Sequence, residues 1–240
     1  MRSGLLLTVL VCSGVFTSAT AFAKSNTTEE ERVCKITYDY ANCVVRRRHD
    51  LAAEVIVSNY DNGTISNKYA RLIDSDCMER VAGAVGVRFP ADHYRYALAD
   101  ALVNMDFLTK EPDSFSDRLP LAHPPMPSAA ERDAALAATK SKSRRAEIQK
   151  KYDNAVGVVW LSQYGECIVR QSPKDARYLL LTPPNTPEET SRISALRPVF
   201  ADCLPEGTLR FNRLTLRGTI ALNYYRLAMA TPQLESGSAH

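Results

Sequence analysis

The sequence predicts a mainly α-helical protein, built from two degenerate helical repeat units that each contain an intra-unit disulfide. The first observation is a heptad that occurs twice, as YANCVVR at 40–46 and as YGECIVR at 164–170. The second is that apolar residues recur at helical spacing in long segments around both heptads. The third is that a further cysteine follows each heptad cysteine at nearly the same distance along the chain.

The first 23 residues have the pattern of a secretory signal peptide. Arg2 gives a positive start, an apolar run follows from Leu5 to Phe16, and Ala21-Phe22-Ala23 fits a cleavage site. The apolar run is shorter than the roughly 20 residues that a membrane span needs. We therefore expect a soluble, periplasmic or secreted chain that begins near Lys24 and has no transmembrane segment.

The charge of the chain excludes some classes of partner. A formal net charge of +3 gives no strong electrostatic case for nucleic acid or for an anionic membrane. Two local basic runs, RRR at 46–48 and KSKSRR at 140–145, are typical of a solvated helix surface. Contact with an anion is the alternative interpretation of each run.

Further identities extend the repeat beyond the heptads. With two gaps in the alignment, 13 residues of the first copy meet identical residues of the second. Among them, Tyr40, Cys43, Arg46, Arg71, Asp76, Cys77, Arg88 and Arg95 match Tyr164, Cys167, Arg170, Arg197, Asp202, Cys203, Arg210 and Arg217. The predicted organisation is a signal peptide (1–23), a first unit (24–108), a proline-rich linker (109–127), a second unit (128–231) and a disordered tail (232–240).

The repeat also predicts how the cysteines pair. An exported chain meets an oxidising compartment, where disulfides form. The simplest pairing within each copy is Cys43–Cys77 and Cys167–Cys203, and each disulfide would stabilise its unit by roughly 3–4 kcal/mol. Cys34 has no counterpart in the second copy and is left as the free thiol. It is interpreted as a buried free cysteine, with a disulfide-linked homodimer and a reactive thiol as alternatives.

In the first unit, helical spacing and turn residues predict four helices. They cover 28 to about 43–46, 50–58, 68–77 and 93–105. The first starts at a capping-box pattern from Thr28 to Glu31. The stretch YDNGTIS at 60–66 has turn chemistry.

The second unit repeats this order. Ser128 to Glu131 is a capping box that begins an alanine- and lysine-rich helix, which continues with breaks toward Trp160. In LTPPNTPEE, Thr186 is expected to cap a helix whose third residue is Glu189. The run at 215–230 predicts the last helix.

The sequence contains no recognisable catalytic or metal-binding motif. The four histidines are not spaced as metal ligands, and CxxC, GxSxG and phosphate-binding glycine motifs are absent. We therefore predict no metal site, no cofactor and no catalytic residue. Cys34 with His49 or His93 is the only formal thiolate–imidazole pair. Asp76 and Asp202 recur together with arginines, which is typical of ion pairs that fix helix packing.

These observations favour a non-catalytic binding or interaction module over an enzyme, with a protein or a small molecule as its ligand. One alternative is an enzyme with an unrecognised site at the interface of the two units, which would use Asp76 or Asp202. The other alternative is a small-anion binding protein that uses recurring arginines: Arg88, Arg95, Arg210 and Arg217.

Overall fold

A computed structural model gives a helical protein with no strand among its described residues. The structure describes residues 20–59, 62–82, 92–110, 112, 114–204 and 212–231, and of residues 20–30, 62 and 82 only the backbone. These residues form ten helices: α1 (Thr20–Val57), α2 (Asn62–Lys68), α3 (Ser75–Ala82), α4 (His93–Asp106), α5 (Ala129–Ala138), α6 (Lys142–Gln171), α7 (Pro173–Leu181), α8 (Pro187–Ala195), α9 (Arg197–Cys203) and α10 (Arg213–Met229).

The mainly helical fold is therefore confirmed, and α1 is interrupted close to the predicted place. Arg48 has φ −140° and ψ 40°, outside the helical region, and so divides α1 into a first arm (20–47) and a second arm (49–57). The predicted start at Thr28 is wrong, because α1 already begins at Thr20. Residues 20–28 contain neither glycine nor proline, so nothing in them interrupts a helix.

The segment between α1 and α4 differs most from the prediction. Residues 62–66, predicted as a turn, lie in α2, and a 3-10 turn (Ala70–Leu72) followed by α3 replaces the predicted helix at 68–77. A local cap explains the new start. The side chain of Asp74 accepts a hydrogen bond from the backbone N–H of Cys77 at 3.0 Å, as a residue just before a helix does.

In the second half of the chain, the predicted caps are present. Ser128 accepts a hydrogen bond from the N–H of Glu131, and Thr186 accepts one from the N–H of Glu189. The last helix begins at Arg213, two residues earlier than predicted, because Asn212 caps it.

The helices α4 and α10 lie side by side at the centre of the protein. In both, a long run of consecutive residues is buried: Tyr94–Val103 in α4 and Leu216–Leu227 in α10. Contacts at both ends show that the two helices run parallel. Near their starts Tyr96 lies against Gly218, and near their ends the Tyr225 hydroxyl donates to Asp106 at 2.8 Å. Helix α1 packs against α4, and α6 and α7 pack against α10.

Two disulfides fasten the outer helices, and both join the predicted partners. Cys43 on α1 is bonded to Cys77 on α3, and Cys167 on α6 is bonded to Cys203 on α9. A tyrosine of each heptad reinforces its disulfide. The Tyr40 hydroxyl accepts from the N–H of Asp74 at 2.9 Å, and the Tyr164 hydroxyl donates to the carbonyl of Phe200 at 3.4 Å.

The proline-rich segment is held against the helical body. Residues 114–127 contain no helix, as predicted for a linker. The Phe115 side chain is nevertheless fully buried. Arg170 on α6 donates to the carbonyls of Phe115, Arg118 and Leu119 at 2.6, 3.2 and 2.8 Å. This segment is therefore part of the packed structure, because the half-buried Arg170 guanidinium satisfies three of its backbone oxygens.

Most of the predicted signal peptide (1–23) and all of the predicted tail (232–240) lie outside the described residues. Among the helices that are described, none combines the length and the apolar character that crossing a membrane requires.

Two glycines allow the closest helix contacts, and a third offers a matched control. A methyl group on Gly218 would overlap the Tyr96 side chain of α4, and one on Gly165 would lie 2.8 Å from the Thr219 carbonyl of α10. Gly157, also in α6, has open space at that position. We predict that Gly218→Ala and Gly165→Ala each lower the free energy of unfolding by about 1–3 kcal/mol through overpacking.

In contrast, Gly157→Ala should raise the free energy of unfolding by about 0.5–1 kcal/mol, because alanine favours the helix and nothing obstructs its methyl group. Urea unfolding followed by circular dichroism measures all three variants. Equal effects at the three positions would contradict the close packing of α4, α6 and α10.

Candidate binding cleft and buried ion cluster

Arg217 lies at the centre of a buried ion cluster. Its side chain is 3% exposed, against 6% for Asp100 and 1% for Glu189. Nε and Nη2 donate to the Asp100 carboxylate at 2.7 and 3.1 Å, and Nη1 donates to Glu189 at 3.2 Å. The carbonyls of Leu179 and Leu180 accept from Nη1 and Nη2 at 3.0 and 2.7 Å. All five N–H groups of the guanidinium thus have partners inside the protein.

This cluster joins four elements, because its members come from α4, α10, the end of α7 and the start of α8. Burial works against the charged form of Arg217, but the Asp100 carboxylate outweighs it and holds the pKa of Arg217 above its ordinary value. The cluster is structural in this arrangement, since its cation has no donor left for a ligand.

The structure describes two of the four arginines predicted to bind a small anion. Arg217 is paired with Asp100 and Glu189. Arg95 is buried, donates to the side chain of Asn59 at 3.5 Å and lies 3.7 Å from Asp92. Arg88 and Arg210 lie outside the described residues.

Cys34 lies beside this cluster and is the free cysteine among the described residues. It lines a cavity of about 20 Å³ together with Asp100 and Arg217, which has room for about one water molecule. Burial raises the pKa of the thiol, and a hydrogen bond with Asn185 opposes that rise only in part. A thiol held in its neutral form is a poor nucleophile, so the environment favours an unreactive free cysteine, here half-buried, over a reactive one.

An open cleft of about 710 Å³ lies between the second arm of α1 and the ends of α4 and α10. Its most polar part is centred on His49. The ring Nε2 lies 2.8 Å from an Asp106 carboxylate oxygen, and Nδ1 lies 3.0 Å from Asp50. The Tyr225 hydroxyl donates to the same Asp106 at 2.8 Å. Asp50 lies next to His49 in the sequence, whereas the fold brings Asp106 and Tyr225 to the histidine.

The surroundings of His49 favour its protonated form. Its hydrogen bond with Asp50 raises the pKa of His49, burial lowers it, and the contact with Asp106 raises it again, so that the pKa lies above the ordinary value of 6.5. Both ring nitrogens then donate to carboxylates. An imidazole without a free lone pair cannot accept a proton from a substrate, so this geometry is unsuited to a general base.

The rest of the cleft combines acidic and apolar side chains. Exposed carboxylates come from Asp50 and Glu54, and Lys110 supplies one exposed cation. The apolar residues Val57 and Met229 line the same cleft although they are 43% and 50% exposed. A cleft of this size with an apolar wall and few polar groups has the character of a ligand site.

A serine, a histidine and a glutamate also meet where the proline-rich segment crosses α6. His123 Nδ1 lies 2.8 Å from the Ser162 hydroxyl, and Nε2 lies 2.6 Å from Glu166. Glu166 also accepts from the Arg170 guanidinium at 2.7 Å and from the N–H of Leu121 at 3.1 Å. Ser162 is buried in the middle of a helix. The group holds the segment in place.

The recurring aspartates lie away from the cleft. Asp76 on α3 pairs with Arg47 at 2.9 Å, and Asp202 is exposed on α9. Cys34 lies beside Asn185, whereas His49 is held by Asp50 and Asp106, so the formal Cys34–His49 pair is not assembled. Among the described residues, no group of three or more His, Cys, Asp or Glu side chains could hold a metal ion.

Sequence reasoning missed both the cleft and the partners of Arg217. His49 and Asp106 are 57 positions apart in the chain, and Asp100 and Arg217 are 117 apart. No short motif encodes such pairs. A charged residue inside an otherwise apolar helical run, such as Asp100 in α4, was the one available signal of a buried ion pair.

We predict opposite effects for two buried arginines of α10. Arg217→Met removes the cation that pairs with Asp100, whereas Glu189 keeps a second partner in Arg213 at 3.4 Å. The variant should cost about 3–5 kcal/mol of stability, because it leaves the buried Asp100 carboxylate uncompensated. Arg226 is 5% exposed and donates to the carbonyl of Ala122, but among the described residues its Nε and Nη1 have no hydrogen-bond partner. Arg226→Met should therefore be neutral or stabilising.

Urea unfolding of the two methionine variants measures this difference. Equal losses of stability would contradict the structural role assigned to the Arg217 cluster.

A second prediction concerns the pH dependence of His49. Because its folded-state pKa is raised, His49 stabilises the protein fully below pH 6.5, and this contribution is lost as the pH rises through the raised pKa. An NMR titration should place the His49 midpoint above 6.5, and Asp50→Asn should lower it. The exposed Asp153→Asn serves as the control and should leave the midpoint unchanged. A midpoint below 6.5 in the unmodified chain would contradict the pairing.

Comparison of the chain with protein-family models, with curated proteins and with solved structures gives no significant match. A functional proposal therefore has to be based on the chemistry of the cleft and on the way in which the helices are fastened.

Proposed function

We propose that this protein is an exported helical binding module that acts without catalysing a reaction, and that its ligand occupies the cleft around His49. One observation carries the proposal: both ring nitrogens of His49 face carboxylates, in an open cleft whose apolar wall is exposed. The cleft thus offers surface for binding, and its histidine has no free lone pair for proton transfer.

The lining residues indicate the class of ligand. Protonated His49 balances Asp106, so that Asp50 and Glu54 outnumber the single cation Lys110. The apolar residues Val57 and Met229 would cover the body of a ligand. A small molecule or peptide side chain with an apolar body and an ammonium group fits this combination of charge and surface.

Export is supported by the two disulfides, which form and persist in oxidising compartments such as the periplasm or the extracellular space. The pattern of residues 1–23 supports the same proposal.

We also propose that the protein consists of two degenerate copies of one helical unit. Arg48 and Ser172 each follow a heptad cysteine by five residues, and both have non-helical backbones, with φ −140° and −142°. Asp74 and Phe200 each precede the second cysteine of a disulfide by three residues, and each bonds to a heptad tyrosine. The copies would meet where α4 packs parallel to α10, which puts the cleft at their junction.

The proposal predicts selective binding of amines in the cleft. We expect tryptamine to perturb the NMR signals of His49, Val57 and Met229 more strongly than indole-3-acetate, which has the same ring and the opposite charge. Glu54→Gln should weaken tryptamine binding by about two- to fivefold, as for a partly exposed ion pair. Val57→Ser should weaken the binding of both compounds.

Leu119→Ser is the matched control, because Leu119 is 56% exposed and does not line the cleft. Perturbations that cluster elsewhere would contradict the location of the site. A turnover activity that disappears in a folded His49→Ala variant would contradict the non-catalytic role.

A further inference from the structure

A second cavity, of about 390 Å³, lies between the first arm of α1 and α3, next to the first disulfide. Three arginines line it, namely Arg46, Arg47 and Arg80, together with Tyr38, Asn42 and Asp39. It shares no lining residue with the His49 cleft. Its chemistry is therefore independent of the function proposed for that cleft.

The charges in this pocket are unequally compensated. Arg47 is neutralised by Asp74 and Asp76, at 3.1 and 2.9 Å. The acid of the pocket, Asp39, is itself paired with Lys35 at 2.5 Å. In the described part of the chain, no acid pairs with Arg46 or Arg80. The pocket therefore presents two guanidinium groups with an excess positive charge.

The disulfide explains why these two arginines share one pocket. Arg46 follows Cys43 by three residues, and Arg80 follows Cys77 by three residues. Residues three apart on a helix lie on the same face. Because the disulfide joins the two cysteines, it also brings the arginine-bearing faces of α1 and α3 together.

The second heptad provides an internal comparison. Arg170 follows Cys167 by three residues, as Arg46 follows Cys43. Its guanidinium is occupied by Glu166 and by three backbone carbonyls. The arginine of the second heptad thus has a structural role, whereas the arginine of the first heptad is exposed and faces a cavity.

We propose that the pocket at Arg46 and Arg80 binds an oxyanion of the phosphate class. Guanidinium groups donate paired hydrogen bonds to such anions, and two of them balance the charge of a phosphate monoester. A volume of about 390 Å³ leaves room for an organic group attached to the phosphate.

Thermal unfolding and calorimetric titration with inorganic phosphate and with phenyl phosphate test this proposal, at constant ionic strength set with chloride. Both compounds should raise the melting temperature of the unmodified chain. Arg46→Gln and Arg80→Gln should each weaken phenyl phosphate binding about tenfold or more, because each removes a charged hydrogen bond. Arg144→Gln, at an exposed arginine of α6 outside the pocket, should bind as the unmodified chain does.

The relative affinities of the two probes identify the source of the anion. Tighter binding of phenyl phosphate identifies an ester as the ligand class, and tighter binding of inorganic phosphate identifies the free ion. Melting temperatures measured without phosphate verify that the variants fold. Unchanged affinity in a folded Arg46→Gln/Arg80→Gln double variant, or a shift that chloride reproduces, would overturn the proposal.

Discussion

The packing of α4 against α10 is the constraint on which the rest of the structure depends. Both helices are buried along most of their length, so that each needs other helices on all sides. Gly218 lets the two backbones approach because it has no side chain to collide with Tyr96. The Arg217 cluster then fixes their alignment, since its guanidinium bonds to Asp100 of α4 and to carbonyls at the end of α7.

The outer helices are fastened by a different kind of interaction. Each disulfide ties a long helix to a short one, and a heptad tyrosine adds a hydrogen bond to the backbone nearby. Short helices such as α3 and α9 have little stability of their own in water. The disulfides therefore stabilise α3 and α9, whereas extensive burial stabilises α4 and α10. The arrangement suits an oxidising compartment, where such links persist.

Helix packing creates one of the two candidate binding surfaces, and a disulfide creates the other. The cleft around His49 exists because the second arm of α1 lies near the ends of two parallel helices, which brings Asp106 and Tyr225 to one histidine. The basic pocket exists because a disulfide holds two arginine-bearing helices together. Both places present charged groups to solvent, and the cleft adds an exposed apolar wall, whereas charges within the core, such as that of Arg217, are compensated by protein partners.

The sequence by itself determined the helical class, most helix positions after residue 92, the helix caps at Ser128 and Thr186, and both disulfides. These features follow from spacing within a few tens of residues, or from a heptad that repeats. Only the tertiary structure decided the pairing of Arg217 with Asp100 and of His49 with Asp106. Charged pairs more than fifty positions apart leave no local pattern, because their free energy depends on which helices pack together and on how deeply the pair is buried.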